Sequence, residues 1–214
     1  HLELLRSPAC VEYFANHPDI EIILNYKVEA DDALMTDHFY YQGSVLASPD
    51  KDLTISPFAS YIMDEGRTIS LPDGDRFGYI ERKQWVTDGG NPASKVCGKG
   101  TKFFLAQMLM GDTADNVKGI ISLNGKACGE AGTFIALDPI KDASEAVNYV
   151  LSAYRQINQN PIPEAEAMWL LRNQFDNSYK FFKEHELLPI NAEYLDECYF
   201  QRQWLKTEDK DNEV

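Results

Sequence analysis

The chain has 214 residues and a formal net charge of −14, with 44% hydrophobic and 25% charged residues, the balance of a globular protein with a real core. No apolar run approaches the length that spans a bilayer, and Glu3 and Arg6 interrupt any signal-peptide pattern at the start. The four cysteines, Cys10, Cys97, Cys128 and Cys198, form no CxxC pair, so they read as free thiols rather than zinc ligands.

Residues 2–15 carry Leu2, Leu5, Ala9 and Val11 at helical spacing, and Pro18 ends that helix. The chain thus starts at His1 inside a predicted helix, which suggests a processed, trimmed or incomplete chain. Ile20–Leu24 reads as a short buried strand, Glu29–Phe39 as a helix with an acidic first turn, and Ser44–Ala47 as a second strand. Strand, helix and strand at this spacing form a βαβ unit and imply a parallel sheet. Thr68–Leu71 and Phe77–Ile80 flank the turn signal Pro72–Asp75 and read as a hairpin. Gly89–Pro92 and Gly98–Gly100 read as loops. From there the pattern is helical: Lys102–Met110, Gly125–Leu137, Ala143–Gln156, Glu164–Phe182 and Ala192–Leu205, followed by a charged tail, Thr207–Val214, expected to be disordered. The expected fold is α/β: a first unit over residues 1–95 and a mainly helical second unit over 96–206.

Charge is unevenly spread. Between Arg76 and Lys126 eight basic residues stand against four acidic ones, whereas from Glu184 onward nine acids stand against three bases. A basic island in an acidic chain suits a local phosphate contact, although a solvated face would look the same.

Three acidic motifs lie near the ends of predicted elements. Glu29, Asp31 and Asp32 open a helix; Asp50 and Asp52 follow a strand; Asp112 and Asp115 sit between two helices. The carboxyl ends of parallel strands are where α/β sheets hold ligands. Grouped carboxylates repel one another unless cations neutralise them, and hard divalent cations prefer oxygen ligands. Taken singly, each motif is ordinary cap or turn chemistry. Histidines make no ligand pattern, Gly98–Lys102 lacks phosphate-loop spacing, and Trp85, Trp169 and Trp204 read as packing residues, as do Phe175, Tyr179 and Phe182.

The order of these motifs resembles the 5′-nucleases, the bacterial and phage 5′→3′ exonucleases and flap endonucleases. Glu29-Ala30-Asp31-Asp32 resembles that family's E-A-D-D motif, Ser48-Pro49-Asp50-Lys51-Asp52-Leu53 its S-x-D-K-D-L segment, and Gly111-Asp112-Thr113-Ala114-Asp115-Asn116-Val117-Lys118-Gly119 its G-D-x-x-D-N-I-x-G element. The likeness covers residues from about 20 to 135. It implies a partial PIN-like parallel sheet followed by a helix–three-turn–helix DNA-binding region. It also implies hydrolysis of DNA phosphodiester bonds with two Mg²⁺ or Mn²⁺ ions: Glu29, Asp31, Asp50 and Asp52 at or near the first, Asp32, Asp112 and Asp115 at the second. Lys118, Gly119, Ser122, Asn124, Gly125 and Lys126 fall in the hairpin that would contact a DNA phosphate, in such families through K⁺; Ser122 and Asn124 stand where the family has glycines. The expected partners are DNA with a 5′ end, nick or flap, replication proteins, and an amino-terminal portion carrying two further acids. The expected setting is the cytoplasm of a bacterial or phage-infected cell. Two other readings stay open on the residues alone: a non-catalytic DNA-binding accessory protein that keeps the fold, and a metal-binding α/β domain with another phosphoryl substrate.

Overall fold

A computed structural model describes residues 7–23 and 25–211, with side chains to Gln201. The fold is α/β, with eight α-helices and two small sheets among the described residues. No helix of this set is long and apolar enough to cross a membrane.

The first helix, α1 (Pro8–Ala15), starts on a Ser7 cap whose side chain accepts from the Cys10 amide, and it buries none of its residues. Residues 2–6 of the predicted helix, and with them Leu2 and Leu5, lie outside the described residues. The strand expected at Ile20–Leu24 does not form over Ile20–Ile23, and Leu24 lies outside the described residues. Ile20 and Ile23 are 38% and 68% exposed, and no strand lies beside them to satisfy a ladder. The expected βαβ unit is therefore not formed among the described residues. Helix α2 (Ala30–Tyr40) does form, with Asp31 and Asp32 in its first turn and Met35 and His38 turned into the core.

Parallel pairing arises further along. Strand β1 (Leu46–Ala47) pairs in parallel with β2 (Ser60–Ile62), and a 3₁₀ turn (Asp52–Ile55) lies on the crossover. β2 then pairs antiparallel with β3 (Arg67–Ile69). Two strands replace the hairpin expected at 68–80: β4 (Tyr79–Val86) pairs residue for residue with β5 (Pro92–Lys99). Pro72–Asp75 is a turn, with the Asp75 amide donating to the Pro72 carbonyl, but it joins separate sheets. Turn chemistry fixes a reversal without fixing which strand lies opposite. Gly98 and Lys99 belong to β5 rather than to a loop, and the 95/96 division falls inside that strand.

Helix α3 (Thr101–Met110) is the central element. Every residue from Lys102 to Leu109 is buried, as expected for a helix apolar all round. It packs against α4 (Glu130–Leu137), α5 (Ala143–Gln156), α6 (Ile162–Met168) and the β4–β5 hairpin. Its polar exceptions are satisfied locally or serve the site. Lys102 Nζ donates to the carbonyls of Asp138 and Ile140, where α4 ends, and Tyr154 from α5 donates to the Met108 carbonyl at 2.6 Å. Lys99, fully buried just before α3, donates to Ser60 Oγ at 2.9 Å, and burial pulls its amine down to about 8.

The helix expected over Glu164–Phe182 is two helices, α6 and α7 (Ser178–Lys183). The segment between them is held by Asp176, which accepts from the Trp169 indole at 3.0 Å and from Arg172, whose guanidinium also grips Glu184. Asn177 caps the restart at α7. Phe175 consequently sits outside both helices at 71% exposure, while Phe181 and Phe182 join Phe104 and Trp169 in an aromatic core. Helix α4 begins at Glu130 rather than Gly125. The last helix, α8 (Pro189–Asp211), runs through Thr207–Asp211, where disorder was expected; residues 212–214 lie outside the described residues, as does the Trp204 side chain.

Candidate functional site

Three of the seven singled-out carboxylates meet. Asp52, Asp112 and Asp115 each place an oxygen within 4.8 Å of the others, forming the one group of this kind among the described residues. Three local structures bring them together. β1 delivers the chain to Ser48, whose hydroxyl accepts from the Asp50 amide at 3.1 Å; Asp50 Oδ1 then accepts from the Asp52 amide at 3.0 Å and turns the chain into the 3₁₀ segment. That segment is tied to the start of α3 by the Gly100 amide, which donates to the Thr54 carbonyl at 2.9 Å. At the far end of α3, Gly111 adopts φ +77° and sends the chain back over the helix. Asp112 and Val117 exchange both backbone hydrogen bonds at 2.8 Å, closing a loop that holds Asp115, and Asp112 Oδ1 accepts from the Ala114 amide at 2.9 Å.

Gln107 joins these parts. It is wholly buried on α3, and its Nε2 donates to Asp52 Oδ1. Its Oε1 is buried with no partner. Such an orphaned acceptor beside three carboxylates is uncommon, because an unpaired buried polar atom is costly. Lys51 supplies the local cation and forms an ion pair with Asp112.

The electrostatics separate the acids. Burial pushes the Asp52 carboxyl up to about 6, opposed by the Gln107 hydrogen bond and Lys51, and reinforced by the charges of Asp112 and Asp50. Asp112 is also desolvated, but Lys51, the Ala114 amide and Gln107 hold it below the usual carboxylate range. This site therefore places an ionised carboxylate beside one that takes up a proton near pH 6.

The other singled-out residues lie as follows. Glu29 is the exposed N-cap residue of α2, without a side-chain cap bond. Asp31 Oδ1 accepts from the Asp32 amide at 2.9 Å, and Asp32 Oδ1 accepts from the Leu171 amide at 2.8 Å, tying α2 to the segment after α6. Burial raises the Asp32 carboxyl, with the Leu171 hydrogen bond opposing. None of these three belongs to the Asp52 group, and Asp50 supports that group through its backbone turn and charge.

In the expected DNA hairpin, Leu123 and Lys126 pair across Asn124 and Gly125, which adopt φ +53° and +78°. Asparagine and glycine in left-handed conformations make a tight reversal without the family's glycines. Lys118 and Lys126 are exposed. The Gly119 and Ile121 amides are engaged internally, by Glu164 at 3.2 Å and Gln159 at 2.8 Å, and Ser122 is half-buried.

Lys51, Gln107 and Trp85 were absent from the sequence-derived site. A glutamine inside the otherwise apolar run Phe103–Met110 was the available signal for one of them. Beside the carboxylates a cleft of about 590 Å³ opens between Lys51, Asp112, Thr113 and Ala114 on one side and Trp85, Ser94 and Lys95 on the other. A protein-family model, a curated protein or a solved structure that matches this chain is not found.

Proposed function

We propose that the protein is a divalent-metal-dependent phosphodiesterase acting on nucleic acid, a 5′→3′ exonuclease or flap endonuclease with a PIN-like core. The observation that carries this reading is the convergence of Asp52, Asp112 and Asp115 around a buried glutamine whose carbonyl has no partner. The donor set is all oxygen and mostly anionic, which fits Mg²⁺ or Mn²⁺ better than a soft metal. Asp52, Asp112 and Asp115 would hold the ion, with Gln107 fixing Asp52 and a short side-chain movement bringing its carbonyl into reach. Such an ion supplies an activated water and charge neutralisation at a phosphoryl group. Asp32, bonded to Leu171, stands apart, so the three-acid group supports one ion directly.

The chain's own residues account for the rest. Lys51 pairs with Asp112 at rest and would turn to pair with a substrate phosphate if a cation took over that carboxylate. Asp52, with its proton affinity near neutrality, is placed to hold or release a proton at its carboxylate as the site fills. The cleft toward Lys95 offers the approach for a polyanion.

The test is cleavage of a 5′-labelled flap and a nicked duplex by the full chain with Mn²⁺ or Mg²⁺, alongside the Asp112→Asn, Asp115→Asn double variant. Chelator-sensitive cutting, lost in the double variant with circular dichroism unchanged, is expected. Undiminished cutting by that variant contradicts the assignment.

A further inference from the structure

The β4–β5 hairpin carries a surface that the fold does not use. Trp85, near its tip, is 49% exposed, and the adjacent Val86 is 69% exposed. The Trp85 indole stacks on no other ring and makes no hydrogen bond among the described residues, whereas the buried Trp169 indole does both. The strand alternation explains its position. Glu81, Lys83 and Trp85 share one face of β4 opposite Cys97, Lys95 and Ala93, so the indole stands on the polar side of the ribbon.

Trp85 lines two depressions. One is the 590 Å³ cleft that it shares with Lys51, Lys95 and Asp112. The other, about 460 Å³, is lined by Arg82, Gln84 and Ser94 from the opposite face of the ribbon, together with Trp85 and Ala93. Lys51 is paired with Asp112, but Lys95 and Arg82 have no carboxylate partner among the described residues. Lys95 is exposed and forms no ion pair, and Arg82 donates only to Ser94 Oγ at 3.1 Å, leaving Nε buried without a partner. By contrast Lys83, directly opposite Lys95 in the ladder, is held by Glu65 and Glu81. A half-exposed indole beside an unpaired lysine on the same face of a ribbon suits single-stranded nucleic acid, where bases stack on rings and phosphates meet cations.

We propose that the hairpin is a single-strand platform. Trp85 stacks one base, Lys95 on the same face of the ribbon takes the adjoining phosphate, and the strand continues along the cleft to the Asp52–Asp112–Asp115 group. A duplex end cannot splay a base onto the ring without unpairing, so the platform selects overhangs and flaps over blunt duplex. The inference rests on the proposed nuclease reading only for the destination of the strand; the platform itself needs no metal.

The experiment is binding of a fluorescein-labelled oligothymidylate to the full chain in EDTA, by anisotropy and by quenching of tryptophan emission. Trp169 is only 5% exposed in the core, and loss of the quench in Trp85→Phe assigns the signal to Trp85. Trp85→Ala is expected to weaken single-strand binding roughly tenfold, with Trp85→Phe intermediate and blunt duplex binding little changed. Lys95→Ala is expected to lower the slope of log affinity against log salt by about 0.7. Circular dichroism of each variant confirms that the exposed substitutions leave the fold intact. Wild-type affinity in Trp85→Ala, or equal displacement of the strand by polyglutamate, overturns the proposal. Trp85-dependent binding without any metal-dependent cutting leaves the platform standing and removes the nuclease reading; cutting that ignores Trp85 does the reverse.

Discussion

Replacing Asp52 with Asn in the metal-free protein should make it more stable at pH 7. Asn keeps the size of the side chain and an oxygen for the Gln107 amide, and its own amide can face Asp112 and Asp115. It removes a carboxylate that burial and its acidic neighbours push from 3.8 to about 6. Because the folded carboxyl binds its proton more tightly than the unfolded one, folding is favoured most below pH 3.8, and stability falls as pH rises through about 6. Each tenfold change in proton affinity is worth about 1.4 kcal/mol, so the full rise amounts to roughly 3 kcal/mol. Asp52 is partly open to solvent, and screening reduces this to about 1–2 kcal/mol. For a domain of this size that raises Tm by roughly 2–8 °C. The assay is thermal or urea unfolding in EDTA at pH 4 and pH 7, repeated with millimolar Mn²⁺. The gain is expected at pH 7 and absent at pH 4, and the wild type should regain the difference with Mn²⁺ while the variant does not. A loss of stability at pH 7, or an equal gain at both pH values, would falsify the electrostatic account of the site.

Three further substitutions probe the surroundings. Gln107→Leu leaves Asp52 without its donor. It should cost about 1–3 kcal/mol in unfolding and shift Mn²⁺ binding, followed by electron paramagnetic resonance, to higher pH; an unchanged midpoint would show that Gln107 merely fills space. Lys51→Met removes the cation that competes for Asp112. Mn²⁺ affinity in the absence of substrate should rise on the order of tenfold, since close charges interact by several kcal/mol before solvent offsets most of it. Equal affinity by titration calorimetry would mean that Lys51 and the ion do not share the carboxylate. Lys99→Met removes a buried amine whose proton affinity burial has lowered from 10.5 to about 8. Charging that amine destabilises the fold fully below about pH 8, and the penalty fades as pH rises toward 10.5. The variant should therefore gain about 1–2 kcal/mol at pH 7, after the lost Ser60 hydrogen bond, and much less near pH 10 by urea unfolding.

How much of this was legible in the sequence depends on whether the signal was local. Helix α5 matches its expected bounds because its periodicity and the Asp142 cap are both written in consecutive residues. Helices α2 and α3 were legible from other local signals, an acidic first turn in α2 and a continuous apolar run in α3. Strand pairing is a long-range choice, and Tyr79 and Ile80 found Lys99 and Gly98 rather than Thr68–Leu71 because a longer partner lay beyond the Gly89–Asn91 turn. Ile20–Ile23 has the composition of a strand but no neighbour, and composition does not record neighbours. The single helix expected over 164–182 was broken by Asp176, whose hydrogen bonds to Trp169 and Arg172 hold the chain in a conformation that apolar spacing does not register.

The candidate site divides along the same line. Asp52, Asp112 and Asp115 were visible as motifs, because each sits in a turn whose residues are adjacent in sequence. Glu29, Asp31 and Asp32 share that local signature, yet α2 carries them elsewhere, and Asp32 ends on the Leu171 amide. Gln107 could have been suspected as the polar break in an apolar helix. Trp85 could have been suspected from its parity with Glu81 and Lys83 along β4, which places it on the solvated face. Lys51 stood inside the Asp-Lys-Asp motif, but only the folded arrangement shows which acid it meets.

The most direct measurement of the central claim is chelator-reversed cleavage of a 5′-labelled flap by the full chain. Product formation with Mn²⁺, abolished by EDTA and by the Asp112→Asn, Asp115→Asn pair while the fold persists, is the predicted result. Retained cleavage in that variant, or tight Mn²⁺ binding that survives the loss of both carboxylates, would contradict the placement of the metal centre at Asp52, Asp112 and Asp115.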